Sequence, residues 1–171
     1  MMHSVAKRTF SSVLLFIFIP VYICSCNEFR SSETKPENNN TNKAPAMKKI
    51  IESKNAPGPI GPYSQAVLTD QTLYVSGQIA IDPATGNLDT ADREKETNRV
   101  MKNIGSVLNE AGMDYSNIVK TSIFLKDMND FTTVNSVYST FFKSEFPARE
   151  TVQVSRLPKD VNVEISVIAV K

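Results

Sequence analysis

Histidine and cysteine are almost absent from this sequence, and tryptophan is absent altogether. In 171 residues, the only histidine is His3 and the only cysteines are Cys24 and Cys26. Ser-His-Asp and Cys-His catalysis need an imidazole to take the nucleophile's proton, and zinc sites need Cys or His ligands. We therefore expect no metal and no cofactor, and a chemistry that uses carboxylates, Arg, Lys, Tyr, hydroxyls and backbone amides.

An excess of charge of one sign is also lacking. Residues 47–171 contain 14 Lys or Arg and 15 Asp or Glu, so their net charge is 14 − 15 = −1. Proteins that bind nucleic acid contact its phosphates through clustered Lys and Arg. The sequence therefore predicts no nucleic-acid partner. Its 41% hydrophobic and 22% charged residues fit one globular domain with some extra polar chain.

Residues 1–26 have the layout of a signal peptide with a lipobox-like end. Two basic residues precede an apolar stretch, residues 13–23, that is interrupted by Pro20 and is too short to span a bilayer. The small residue Ser25 then precedes Cys26, as in a bacterial lipobox. We favour lipidation of Cys26 over simple cleavage, and both predict export, as a membrane-anchored lipoprotein or as a periplasmic or extracellular protein.

The next segment, residues 27–46, is predicted to be a disordered tether. It is rich in Asn, Ser, Thr, Glu, Lys and Pro and has almost no side chains to bury. Such a spacer would hold a lipid-anchored domain away from the bilayer. The folded domain is therefore assigned to residues 47–171.

Hydrophobic periodicity within this domain predicts an α+β fold. Two helices are expected at residues 89–111, with Asp89 or Thr90 as N-cap, and 129–146. Strands are expected at residues 50–53, 66–69, 72–81, 118–126, 149–156 and 161–170. The second and third strands should form a hairpin, and the last two strands should form another.

Alternation along these strands separates an apolar face, which should carry the helices, from a polar face. The polar face would hold Ser76, Gln78, Thr151, Gln153 and Ser166 beside one cation, Arg149, and one anion, Glu164. If the last two strands pair and no bulge intervenes, Arg149 and Glu164 share that face. The face would suit a subunit interface with small polar cavities, or equally a solvated sheet surface with a simple ion pair.

Several short words in residues 47–171 resemble the RidA (YjgF-type) family, in the family's order and spacing. They are residues 60–66 (IGPYSQA), 75–79 (VSGQI), 129–131 (NDF), 146–149 (FPAR), 154–161 (VSRLPKDV) and 163–165 (VEI). The resemblance implies a chorismate-mutase-like fold, a mixed sheet with two helices on one face, and a homotrimer with sites between subunits. It also implies hydrolysis of 2-iminobutanoate and 2-iminopropanoate to 2-keto acids and ammonia.

The same resemblance assigns roles to individual residues. Arg149 matches the arginine that grips the substrate carboxylate, and Glu164 matches the acid near the reacting carbon. Pocket-lining positions match Tyr63, Ser76, Gly77 and Asn135. A backbone carbonyl near Thr151 is expected to help Glu164 polarise a water. Alternatively, Ser76 and Asn135 satisfy backbone groups only, and Tyr63 packs the mouth of the cleft.

Two departures from the family pattern stand in the last two strands. Thr151 replaces a cysteine that many members carry, and Ser166 replaces a second glutamate. Three rival functions also stay open: a non-catalytic trimer that binds small carboxylates, a ribonuclease or translation inhibitor, and a holdase-type chaperone.

Overall fold

A computed structural model describes residues 47–171 of the chain. The predicted signal peptide (1–26) and tether (27–46) lie outside the described residues. The strands are β1 (Lys48–Ile51), β2 (Ala66–Thr69), β3 (Thr72–Gln78), β4 (Ile118–Leu125), β5 (Ala148–Gln153) and β6 (Val163–Val170), and the helices are α1 (Arg93–Glu110) and α2 (Phe131–Ser139). The predicted element order and the α+β class are confirmed.

All six strands belong to one mixed sheet in the order β1-β2-β3-β6-β4-β5. Every neighbouring pair is antiparallel except β4 and β5, which are parallel. The predicted hairpin of the last two strands is therefore wrong. Parallel neighbours need a long crossover, which α2 supplies between β4 and β5, and the chain then returns so that β6 lies between β3 and β4.

Helix α1 begins at a side-chain cap and carries the larger apolar face. The carboxylate of Asp92 accepts hydrogen bonds from the backbone N–H groups of Glu94 and Lys95, at 2.8 and 3.3 Å. The N-cap is therefore not Asp89 or Thr90, and Asp89 instead pairs with Arg99. The side chains of α1 that pack into the core are Val100, Met101, Ile104, Val107 and Leu108.

The core lies between the two helices and one face of the sheet. Alternate residues of the central strands are buried there, among them Leu73, Ile123, Leu125 and Ile165. The opposite face, here called the open face, carries Tyr74 and Val152, which are 49% and 41% exposed. No helix within residues 47–171 has the length and apolar character needed to cross a membrane.

A bulge in β3 reverses the alternation of that strand. Val75 pairs with Val167 and Gln78 pairs with Ile165, so two residues, Ser76 and Gly77, stand opposite one residue of β6. As a result Gly77 faces the same side as Ser76. Gln78 lies on the core side and is only 5% exposed, so its predicted position on the polar face is wrong.

Candidate active site

Arg149 and Glu164 lie on opposite faces of the sheet. Arg149 pairs with the buried Thr121 of β4, on the helix side, whereas Glu164 pairs with Phe124 on the open face. Positions 121 and 124 are an odd number of residues apart, so their side chains point in opposite directions. The prediction of a shared face is wrong because β5 pairs with β4 in parallel and not with β6.

Arg149 lines a cleft at the edge of the sheet beside α2. Its Nη1 donates to Asn135 Oδ1 at 2.7 Å, and its guanidinium carbon lies 5.1 Å from the Tyr138 ring centroid and 5.9 Å from that of Phe131. The cleft has a volume of about 380 Å³ and is lined by Asn135, Tyr138, Ser139, Phe146, Pro147 and Arg149. No carboxylate within residues 47–171 forms an ion pair with Arg149. Its remaining donors can therefore serve an external carboxylate.

Tyr138 forms a fixed wall of this Arg149 cleft. Its hydroxyl donates to Thr121 Oγ1 at 3.0 Å. Burial raises the pKa of Tyr138, although the Thr121 hydrogen bond and the Arg149 charge act in the opposite direction. The phenol therefore stays neutral and acts as a ring that stacks under the guanidinium.

Thr151 is on the same face as Arg149 but does not line the cleft. It pairs with the core residue Ile123 of β4. Its Oγ1 is buried and contacts no hydrogen-bond partner among the described residues. The structure thus does not bring the hydroxyl of Thr151 together with the other predicted site residues.

Glu164 lines a second cleft, on the open face, with a volume of about 250 Å³. This cleft is lined by Ile60, Tyr63, Ser76, Gly77, Ile79, Pro158 and Glu164. The carboxylate lies directly over Gly77, where an added Cβ would be 1.9 Å from Glu164 Oε1. Only glycine leaves room for this arrangement, and the bulge that turns residue 77 toward Glu164 is what creates it.

Burial also changes the acidity of Glu164. Desolvation raises the pKa of its carboxyl above the ordinary value of 4.5. A carboxyl that holds its proton to a higher pH can exchange it more readily with a substrate near neutrality. The Glu164 cleft therefore has the means for proton transfer, whereas the Arg149 cleft has the means for binding an anion.

The other two predicted residues of the Glu164 cleft have different environments. Tyr63 is 44% exposed at the mouth, where its hydroxyl oxygen accepts a hydrogen bond from the Ile60 N–H at 3.1 Å. The hydroxyl of Ser76 donates to Ser64 O at 2.7 Å. Its hydrogen is therefore occupied by the backbone, as one of the two sequence interpretations expected.

Glu96 supports the Glu164 cleft, and the sequence reading missed it. Its fully buried carboxylate accepts from Asn162 N at 2.7 Å and Val163 N at 3.2 Å, and it pairs with Arg93. Desolvation raises the pKa of Glu96, which these partners oppose. The contacts fix the start of β6, next to Glu164. An acidic residue among the apolar positions of α1 was the available signal.

The two clefts hold complementary groups but do not converge within one chain. The Arg149 cleft provides a cation with free donors, and the Glu164 cleft provides an acid beside the half-buried backbone of Gly77. Residues 47–171 contain no group of three or more His, Cys, Asp or Glu side chains suited to hold a metal ion. Carboxylate binding followed by proton transfer is the chemistry these groups can perform once they face each other.

Comparison with known proteins identifies a family. The model of the endoribonuclease L-PSP family matches residues 53–171. The human 2-iminobutanoate/2-iminopropanoate deaminase is 48% identical over 125 residues, which are 73% of this chain and 91% of that protein. The RutC family protein PH0854 of Pyrococcus horikoshii is also 48% identical, over 73% of this chain and 99% of its own length.

Solved structures share the fold. The Escherichia coli protein TdcF, solved with bound serine, is 43% identical with a TM-score of 0.70, over 72% of this chain and 98% of that one. The YjgF gene product of the same organism is 44% identical with a TM-score of 0.69, with the same coverage. The mixed six-stranded sheet with two helices is therefore the YjgF-type fold.

Proposed function

This chain belongs to the endoribonuclease L-PSP family, which includes RidA, and we propose that it hydrolyses 2-imino acids to 2-keto acids and ammonia. Relatives about 48% identical over nearly their whole length carry the name 2-iminobutanoate/2-iminopropanoate deaminase. The substrates are accordingly 2-iminobutanoate and 2-iminopropanoate, or the enamines that tautomerise to them. The enzyme class is hydrolase.

The separation of the Arg149 cleft from the Glu164 cleft is the observation that carries this proposal. Neither cleft holds both groups, so a complete site needs the Arg149 cleft of one subunit against the Glu164 cleft of the next. A head-to-tail contact of this kind forms a ring when its rotation returns to the first subunit. We infer a homotrimer, in agreement with the expectation from the family, and the open face with its exposed Tyr74 and Val152 supplies apolar surface for it.

Arg149 orients the substrate in this scheme. Its planar guanidinium offers two parallel N–H donors to the carboxylate of the imino acid. Asn135 and Tyr138 hold the guanidinium in place, so the bound carboxylate has a fixed direction. The imine carbon, one bond away, is then presented to the Glu164 cleft across the interface.

Glu164 transfers the protons of the reaction. Its carboxylate takes a proton from water as the water oxygen bonds to the carbon of the protonated imine, and the C=N π electrons move to nitrogen. The protonated carboxyl then returns its proton to the amino nitrogen of the carbinolamine. Ammonia leaves as the hydroxyl oxygen forms the C=O bond and gives its proton to the regenerated Glu164 carboxylate, which passes it to the departing ammonia to form ammonium. The raised pKa of Glu164 suits both transfers.

The test is an imine assay with the purified protein. An amino-acid oxidase generates 2-iminobutanoate in its presence, and the release of 2-ketobutanoate and ammonia is followed. We expect acceleration by the wild-type protein and a loss of at least about 100-fold in Arg149→Ala, because a bidentate charged contact is removed. Asp160→Asn, which removes a partner of the exposed Arg156, should retain the activity.

Two other results would replace the proposal. Binding of 2-ketobutanoate in a thermal-shift assay, without acceleration of imine loss, would make the protein a carboxylate-binding trimer. Cleavage of RNA that survives Arg149→Ala would favour the ribonuclease, against the net charge of −1 over residues 47–171. An Arg149→Ala variant as active as the wild type would refute the role of Arg149.

We also propose that the protein is exported and that Cys26 is lipidated. The support is the sequence pattern alone: an apolar stretch of signal-peptide length that ends at Ser25 and Cys26. Mass spectrometry of the mature N-terminus tests it. A diacylated Cys26 is the expected result, and an unmodified N-terminus at another residue would contradict it.

A further inference from the structure

We infer that Gln65 is a positioning residue that sets the wall of the Glu164 cleft by closing the loop that carries Tyr63. This inference rests on the proposed function, because its effect is measured on imine hydrolysis. The loop, here called the proline loop, comprises residues 53–64 and contains Pro57, Pro59 and Pro62. It includes no regular helix or strand.

The side chain of Gln65 closes the first half of the proline loop. Its Oε1 accepts from Ser53 N at 2.6 Å. Its Nε2 donates to Ser53 O, Ala56 O and Pro57 O, at 3.1, 3.3 and 2.8 Å. One amide thus satisfies four backbone groups of the loop, and the two hydrogens of Nε2 are shared among three carbonyl oxygens. Gln65 is only 4% exposed, so water does not compete for these contacts.

The backbone of Gln65 ties the other half of the loop to the bulge of β3. Ser76 N donates to Gln65 O at 3.0 Å, and Ser76 Oγ donates to Ser64 O at 2.7 Å. The next residue after Ser76 is Gly77, over which the Glu164 carboxylate lies. Gln65 therefore connects both ends of the proline loop to the bulge beneath the Glu164 carboxylate.

Tyr63 is the group through which Gln65 acts. Tyr63 sits two residues before Gln65 and lines the Glu164 cleft. Among the described residues, its hydroxyl oxygen accepts from Ile60 N and its backbone N–H donates to Gly61 O, and both contacts are local to the loop. When the loop ends are not closed, those local contacts no longer place Tyr63 over the cleft. The loss should therefore affect substrate capture more than the proton transfers at Glu164.

The experiment compares Gln65→Met with Asn117→Leu. Methionine and leucine approximate the shapes of glutamine and asparagine without their hydrogen bonds. The Asn117 amide accepts from Asp114 N, donates to Val170 O and lines neither cleft. We expect kcat/KM for 2-iminobutanoate to fall about tenfold or more in Gln65→Met, mainly through KM, and less than about threefold in Asn117→Leu. Equal losses in the two variants, or a Gln65→Met variant within threefold of wild type, would overturn the inference.

A double variant tests the route through Tyr63. In a Tyr63→Ala background, Gln65→Met should cost less than about twofold more, because the group it positions is already absent. A full additional loss would show that Gln65 acts elsewhere, and would also overturn the inference.

Gln65→Glu is the alternative variant that tests the role of Gln65 if Gln65→Met does not fold. Glutamate retains the acceptor for Ser53 N but presents a carboxylate to the three loop carbonyls. Protonation restores one donor, so the activity of Gln65→Glu relative to wild type should rise as the pH falls. A ratio independent of pH would count against the inference.

The proposed function and this inference can fail separately. An inactive wild-type protein would refute the proposed function. Hydrogen exchange then still tests Gln65: amides of residues 54–64 should exchange faster in Gln65→Met than in wild type, while those of β6 should not. Unchanged exchange in the loop would refute the inference alone.

Discussion

The Arg149 cleft and the Glu164 cleft are built in different ways. The first places a cation against aromatic rings and an amide, with walls from α2 and the Phe146 segment. The second places an acid over a glycine, with walls from an irregular loop and a strand bulge. In the proposed function, binding and proton transfer come from these separate parts of the chain, which would meet across a subunit boundary.

Mixing two inactive variants would test this division most strongly. Arg149→Ala and Glu164→Gln should each be inactive alone, yet oligomers refolded from an equal mixture should recover about a quarter of wild-type activity. In such oligomers, one interfacial site in four receives an intact Arg149 and an intact Glu164 by chance. The measurement is imine hydrolysis before and after co-refolding. Variants mixed without unfolding serve as the control. No recovery after exchange of subunits would show that both groups act within one chain.

Gly77→Ala would test the Glu164 cleft by itself. The new Cβ would overlap the Glu164 carboxylate, which must then rotate away, whereas the backbone keeps its path. We expect kcat/KM to fall about 10- to 100-fold with a change in unfolding free energy below about 1 kcal/mol. Gly58→Ala, where an added Cβ has no neighbour within 4 Å, should be close to wild type. Similar activity in both variants would remove the case for Glu164 at that position.

Glu164→Gln should have the smallest effect, a change in stability whose size depends on pH. The pKa of Glu164 is raised in the folded protein by desolvation, so the native state holds the proton to a higher pH than the unfolded chain. Wild-type stability should therefore fall as the pH rises from about 4.5 through the folded pKa, and the variant should lack this component. Above that window, Glu164→Gln should be more stable by less than about 1 kcal/mol.

Urea unfolding of both proteins at several pH values measures this difference. Activity provides the contrasting readout, because the variant that gains stability should lose hydrolysis. A stability difference that does not vary with pH would mean that the carboxyl titrates alike in the folded and unfolded states. The acid would then be fully solvated rather than partly enclosed beside Gly77.

Local structure was predictable wherever a periodic pattern or a short turn specified it. The hairpin of β2 and β3 turns at Asp70, whose φ of 52° lies in the left-handed region that aspartate tolerates. The apolar spacing of α1 was also sufficient to place that helix. Helix α2 is shorter than predicted because residues after Ser139 continue in turns, although Phe141 and Phe142 still pack against the core.

Strand partners and side-chain faces could not be read in the same way. Alternation shows which residues of a strand share a side, but not which strand lies beside it. Between β5 and β6 the chain makes a turn in which Lys159 and Asp160 both have positive φ, and it carries β6 away from its expected partner. The bulge at Ser76 and Gly77 likewise cannot be predicted from strict two-residue alternation.

Individual site residues were predictable to the extent that family words contain them. Arg149, Tyr63, Gly77 and Glu164 lie within those words, and each lines one cleft or the other. Asn135 and Thr151 lie outside the words, and of these two only Asn135 lines a cleft. Gln65 and Glu96 were missed because their effect depends on backbone groups that come near them only in the folded chain. Nothing in their local sequence shows which amides and carbonyls they will meet.

The position of β6 also has a consequence for biosynthesis. It is the last strand of the domain to be synthesised, yet it joins β1-β2-β3 on one side to β4-β5 on the other. Until Val163–Val170 has emerged, the nascent chain has only two separate fragments of sheet and cannot close its core. The sheet can therefore close only after translation has passed β6, so folding of this domain follows the synthesis of its last strand.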